Sequence, residues 1–145
     1  MLEQFEFQQC AKEAFYTYKD KLIYKFISNK LVFAYDNMGV VTLNSANILI
    51  PKIEGVPVKI IGAILNSSIS QFIFKKKINA IKVLRRDIET LPIPKLSEDQ
   101  LKDLTELVED FLKDIILFSK IDDYIFSVFS LSFDDKEHIL NYLYN

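Results

Sequence analysis

Hydrophobic and polar positions follow two rhythms along this chain. Residues 21–28 (Lys-Leu-Ile-Tyr-Lys-Phe-Ile-Ser) have the β-branched and aromatic content of a strand. Asn29 and Lys30 turn the chain, and residues 31–35 form a second strand. Residues 36–39 make a turn in which Gly39 is free to take positive φ, and residues 40–43 read as a third strand. Asn44, Ser45, Ala46 and Asn47 are polar or small, a loop or bulge; residues 48–50 are apolar, and Pro51 ends them. Short strands with tight turns predict an antiparallel, strongly curved sheet. Residues 3–18 show no clean period, as expected of an opening helix or a segment cut from a longer chain.

The period then changes to that of a helix. After Gly55 and Pro57, residues Ile60, Ile61, Ile64, Leu65, Ile69, Phe72 and Ile73 recur at helical spacing. The stripe is broad, so the helix is expected to lie on the sheet, with Lys75, Lys76 and Lys77 at the negative end of its dipole. Residues 80–84 read as a further strand and residues 85–90 as one or two helical turns. Residues 91–94 (Leu-Pro-Ile-Pro) are extended, since each proline drives its predecessor out of the α region. Ser97 and Gln100 form a capping-box pattern ahead of a helix of about 20 residues, 98–118, with an apolar side through Leu104, Val108, Phe111 and Ile115. Residues 121–131 form another helix, and Ser132, with Asp135, caps the last. The expected fold class is α+β: a curved antiparallel sheet packed on a central helix, followed by C-terminal helices. Residues 1–96 would be a mixed body, and residues 97–145 a helical part packed on the same domain.

Composition narrows the chemistry. With 145 residues, half of them hydrophobic, the chain can bury a real core. One cysteine, Cys10, makes no internal disulfide, and no early stretch has the build of a secretory signal, so a cytoplasmic protein is expected. Only three glycines are present, with no phosphate loop and no dinucleotide fingerprint. The Asn-Pro-Pro-Tyr signature of amino-methyltransferases is missing. One histidine, His138, and one cysteine make a poor zinc set. Asp122, Asp123, Asp134 and Asp135 sit near expected helix starts, where the helix dipole accounts for them without a metal. No catalytic, cofactor-binding or metal-binding residue is therefore expected.

The net charge of -2 conceals a division. Residues 1–95 hold 14 Lys/Arg against 8 Asp/Glu, whereas residues 96–145 hold 4 Lys against 12 Asp/Glu. A basic body suits phosphates, and an acidic tail would be kept from them. Lys21, Lys25 and Lys30 surround the first hairpin; Lys75, Lys76, Lys77, Lys82, Arg85 and Arg86 follow the central helix. Lysines would hold phosphates, while Arg85 and Arg86 suit guanine edges and Asn29, Asn37, Asn44 and Asn47 suit adenine. Tyr35 could stack or wedge. Each has a plainer reading: Asn37 as a turn residue, Asn44 and Asn47 as braces of a bulge, Arg85 as a partner of Glu89 one helical turn on, and the lysine run as a solvated helix end.

Residues 22–28, 33–36 and 44–50, Gly62 to Ser67 with its Leu-Asn-Ser, residues 81–94 with Pro-Ile-Pro, and residues 121–137 occur in one order and at fixed separations. In these features the chain resembles the TaqI-like C-terminal specificity domain of adenine-specific DNA methyltransferases and restriction-modification enzymes, over roughly residues 19–143. The resemblance implies a double-stranded-DNA-reading module that carries no chemistry and closes the far side of a DNA cleft. Its partner would be a methyltransferase domain, and in some enzymes a nuclease domain, with S-adenosylmethionine bound there for adenine N6 methylation. The short interval from Pro51 to Gly55, where larger members insert recognition structure, implies a compact version. Asn66, Pro92 and Pro94 are expected to be structural, Asn66 tying its helix to a neighbouring backbone. Two other readings remain. One is a half-size specificity subunit that dimerises through the 98–118 helix, favoured if Leu104, Phe111 and Ile115 are exposed. The other is a protein-interaction module without DNA contact.

Overall fold

Ile23 marks the middle of the sheet: it lies in β1 (Lys21–Lys25), between Ala34 of β2 (Phe33–Asp36) and Ile48 of β3 (Ala46–Leu49). The computed structural model describes residues 13–42 and 46–145, so Cys10, Leu43, Asn44, Ser45 and most of the aperiodic opening lie outside the described residues. A short helix, α1 (Glu13–Tyr16), precedes the sheet. The strand order is β2-β1-β3, with both pairings antiparallel and the sheet open.

The third strand differs from the expected one. Residues 40–42 form no strand, while Ala46 and Asn47, expected in a loop, begin β3. The cause is Asp36. Its carboxylate accepts the backbone N–H groups of Met38 and Val40 at 2.8 Å each, the donors that a hairpin with β2 would have used. The chain therefore leaves β2 as a loop, with Gly39 at φ 80°, and returns to the other side of β1.

The expected central helix is three pieces: α2 (Val58–Asn66), α3 (Ser68–Ile73) and a π-helical turn, Phe74–Ile78. Ser67 breaks it by adopting ψ 157°; its hydroxyl then accepts the Ser70 N–H as an N-cap and donates to Ile64 O. α2 is apolar nearly all round because it is covered on two sides. Towards the sheet, Ile61 and Leu65 join Leu22, Tyr24 and Phe33. Towards the C-terminal helices, Ile60 and Ile64 join Leu104, Val108, Ile121, Ile125 and Ile139. Gly62 lets α2 close on β1, since a Cβ there would come within 2.7 Å of Leu22 Cδ2.

Residues 80–84 do not form a regular strand. A single antiparallel bridge joins Lys82 to Ile27, flanked by hydrogen bonds from Ser28 N to Ile81 O and from Val83 N to Phe26 O. α4 (Arg85–Ile88) follows, then residues 92–96, which belong to no helix or strand. α5 (Glu98–Leu112) starts with the expected Ser97–Gln100 capping box and ends six residues before the expected boundary. α6 (Phe118–Val128) and α7 (Phe133–Tyr144) complete the chain, α7 with its Ser132–Asp135 box. No helix among the described residues is long and apolar enough to cross a membrane.

Candidate nucleic-acid interface

The short bridge between residues 26–28 and 81–83 decides where the cations gather. It lays Lys82 beside Ile27, just before the Ser28–Lys30 turn, in which Ser28 Oγ accepts the Lys30 N–H. The chain on either side of Lys82 curls into an open depression lined by Lys77, Lys82, Arg86, the intervening Ile78, Ala80, Ile81 and Leu84, and one carboxylate, Asp87. Arg86 is 82% exposed in its side chain and lies 4.0 Å from Asp87, too far for a tight ion pair, so its guanidinium is available to a ligand.

Strand register places the other candidates. Lys25 is opposite Ala46, and Asn47 is opposite Tyr24; both Lys25 and Asn47 are exposed at the end of the sheet from which the chain runs to Ile27 and the bridge. Asn29 and Lys30 are exposed in the adjoining turn. Asn37 follows Asp36, which pairs with Lys21, so it is exposed at the opposite end of the sheet. Asn44 lies outside the described residues. Lys25, Asn29, Lys30, Asn47, Lys77, Lys82 and Arg86 thus belong to one end of the sheet, and Asn37 does not.

Several candidates have other engagements. The lysine run is divided by the π-helical turn: Lys75 and Lys76 Nζ lie 5.2 and 4.4 Å from the centre of the Tyr142 ring on α7, while Lys77 lines the depression. Arg85 Nε donates to Glu89 Oε1 at 2.8 Å, the exposed one-turn pair expected of that spacing. Tyr35 donates its hydroxyl to Asp20 Oδ1 at 2.8 Å and lines a different cleft, with Phe33, Asn66 and Phe111. Burial first, then the Asp20 hydrogen bond and the charges of Asp20 and Asp36, push its pKa up to about 12. The Tyr35 hydroxyl is thus engaged with Asp20. Lys21, grouped by sequence with the hairpin cations, is fully buried against Asp36 at 2.7 Å and faces no ligand.

The acidic pairs are also used structurally. Asp134 and Asp135 occupy the first turn of α7, as expected. Asp122 and Asp123, however, lie inside α6 rather than at its start. Asp122 accepts both the backbone N–H and the hydroxyl of Ser68, at 2.8 and 2.6 Å, and so serves the first turn of α3; Asp123 pairs with Lys136. His138 packs edge-on against Phe72 at 5.9 Å.

Sequence reasoning placed Asn66 correctly: its amide accepts from Phe33 N at 2.9 Å and donates to Phe33 O at 2.8 Å. It missed Gln71, whose amide does the same for Leu31 at 2.9 and 2.6 Å. Together they cover the outer edge of the first hairpin, tying α2 and α3 to the strand that carries the turn. The signal was available in the polar positions of an otherwise apolar helix, where a part-buried amide demands partners. It also missed Ile81, exposed among the cations.

An open antiparallel sheet laid on a central helix, with cations gathered at one end, defines an α+β domain with a face suited to a polyanion. Residues 2–93 match the TaqI-like C-terminal specificity domain, and the chain belongs to this family; it is a specificity domain, the DNA-recognition module of restriction-modification enzymes. The matched segment begins earlier than the resemblance read from the sequence and ends before α5, so the acidic helices lie outside it. No match was found among curated proteins.

Proposed function

We propose that the chain reads DNA sequence for an adenine-N6 DNA methyltransferase or restriction-modification enzyme whose catalysis lies in a separate methyltransferase or nuclease domain. S-adenosylmethionine would bind in that partner domain. The observation that carries this reading is the gathering of Lys77, Lys82 and Arg86 around one depression beside the Ser28–Lys30 turn, in a chain of the specificity-domain family. Lys77 and Lys82 supply point charges for phosphates, which fix register without reading sequence. Arg86 supplies the planar fork that suits the guanine O6/N7 edge, and Asn29 and Asn47 supply amides that suit adenine. The remaining candidates contribute less: Arg85 is partnered by Glu89, and Lys75 and Lys76 are turned to Tyr142.

The half-size subunit reading needs α5 to offer its apolar side to another chain. Phe111 and Ile115 are exposed, but Leu104 and Val108 are buried against α2 and α6 of the same chain, which weighs against a long pairing helix.

The test is binding of the chain to a pool of randomised duplex DNA, with retained duplexes sequenced and affinity followed against salt. The expected result is enrichment of one short motif with affinity falling steeply as salt rises. Absence of binding at low salt, or binding without motif preference, would remove autonomous sequence recognition.

A further inference from the structure

The depression that holds Lys77, Lys82 and Arg86 has an isoleucine in its wall, and Ile81 is 71% exposed. Single exposed apolar residues are ordinary on protein surfaces. This one differs in its company and in how firmly it is presented. Lys77, Lys82 and Arg86 line the same depression, and holding phosphate makes no use of an apolar neighbour. Its carbonyl accepts from Ser28 N at 2.9 Å, and two residues on, Val83 is buried in the core with its N–H on Phe26 O at 2.8 Å. The backbone under Ile81 is therefore fixed on the sheet, while its side chain stands in solvent. Ile27, 51% exposed, lies on the paired segment opposite Lys82 and adds a second exposed apolar residue beside that lysine.

A duplex held by such a rim presents phosphates on its outside and, in the major groove, one strongly apolar group: the C5-methyl of thymine. We propose that Ile81 contacts a thymine C5-methyl and so selects thymine at one position of the recognised sequence. This inference rests on the DNA-reading function above and adds a specificity residue that reads by shape and apolarity rather than by hydrogen bonding.

The experiment takes the duplex enriched from the randomised pool and replaces each thymine, one at a time, by deoxyuridine, which lacks only the methyl. Dissociation constants are measured for the wild-type chain and for Ile81→Ala, an exposed substitution that should leave thermal unfolding unchanged. At one position the wild type should lose about fourfold on methyl removal, the worth of one buried carbon (about 0.8 kcal/mol). At that same position Ile81→Ala should bind thymine and deoxyuridine duplexes alike. Equal losses in both proteins at every position, no loss anywhere, or an enriched motif without an A·T pair would overturn the assignment while leaving DNA recognition intact. If the wild type binds no duplex, the assignment falls together with the reading it rests on.

Discussion

The ammonium of Lys21 has three protons and three acceptors: Tyr16 O at 2.7 Å, Tyr18 O at 2.8 Å and Asp36 Oδ2 at 2.7 Å. Asp36 is correspondingly filled by Lys21, Met38 N and Val40 N. Burial acting alone would raise the Asp36 pKa. The Lys21 hydrogen bond, the two backbone donors and the Lys21 charge outweigh it, so the pKa is lowered. A carboxylate with a depressed folded pKa stabilises the fold above its unfolded value, about 3.9, and that contribution disappears as pH falls through the folded value. Urea midpoints should therefore show no contribution from this group to any change between neutral pH and about pH 5, and should drop below about pH 4. Asp36→Asn should cost about 3–5 kcal/mol at neutral pH, because it removes the partner of the buried Lys21, and should flatten the acid limb. A variant as stable as wild type would show the pair to be idle. None of this was legible from the residue alone: Lys21 is buried by carbonyls from the chain just before it, and a strand pattern does not reveal such a cover. Asn66 was legible because an amide at the end of an apolar helix has few ways to be satisfied. Asn66→Ala should cost about 1–3 kcal/mol by stranding the Phe33 N–H and C=O, measured by urea unfolding.

The capped starts of α5 and α7 were readable because a capping box is a local code: Ser97 with Gln100, and Ser132 with Asp135, need only their own backbones. The end of α5 was harder. The apolar rhythm continues through Ile115 and Phe118, yet the helix stops because Asp114 enters the left-handed region at φ 59°. Ile115 N then bonds to Asp110 O at 2.9 Å and Asp114 N to Phe111 O at 3.0 Å, the paired bonds of a Schellman ending. Glycine usually occupies that position, and an aspartate disguises it. Asp114→Gly should therefore raise stability by about 0.5–1 kcal/mol, relief of the Cβ strain exceeding the extra chain entropy of glycine. An equal loss would mean that the Asp114 side chain, and not its backbone, sets the ending. The break at Ser67 was hidden differently: the apolar stripe resumes beyond it at Ile69, Phe72 and Ile73, while the Ser67 hydroxyl accepts from Ser70 N and restarts the helix.

Across the whole molecule, the division between a basic body and an acidic tail was plain in the sequence, but the use made of each cation was not. Three adjacent lysines carry identical chemistry, and only the π-helical turn that holds them sends Lys77 to the depression and Lys75 and Lys76 to Tyr142. Their neutralisation should separate along that line. The slope of log affinity against log salt falls by about 0.9 for each phosphate that the protein ceases to neutralise. Lys77→Ala and Lys82→Ala should each flatten the slope by about that amount. Lys77→Ala should leave unfolding free energy nearly unchanged, whereas Lys82→Ala should also lose up to about 0.5–1 kcal/mol of stability, since Lys82 Nζ lies 5.9 Å from the centre of the Phe26 ring. Lys75→Ala and Lys76→Ala should leave the slope alone and instead lower stability by about 0.5–1 kcal/mol, the worth of an exposed cation–π contact. Lys77 and Lys82, as point charges, should weaken all duplexes alike, whereas Arg86→Lys, which keeps the charge but loses the fork, should hold the salt slope and relax the enriched motif. If Lys75→Ala flattens the slope as much as Lys77→Ala, the phosphate track runs over the α7 side of the turn, and the depression beside the hairpin is not the face that meets DNA.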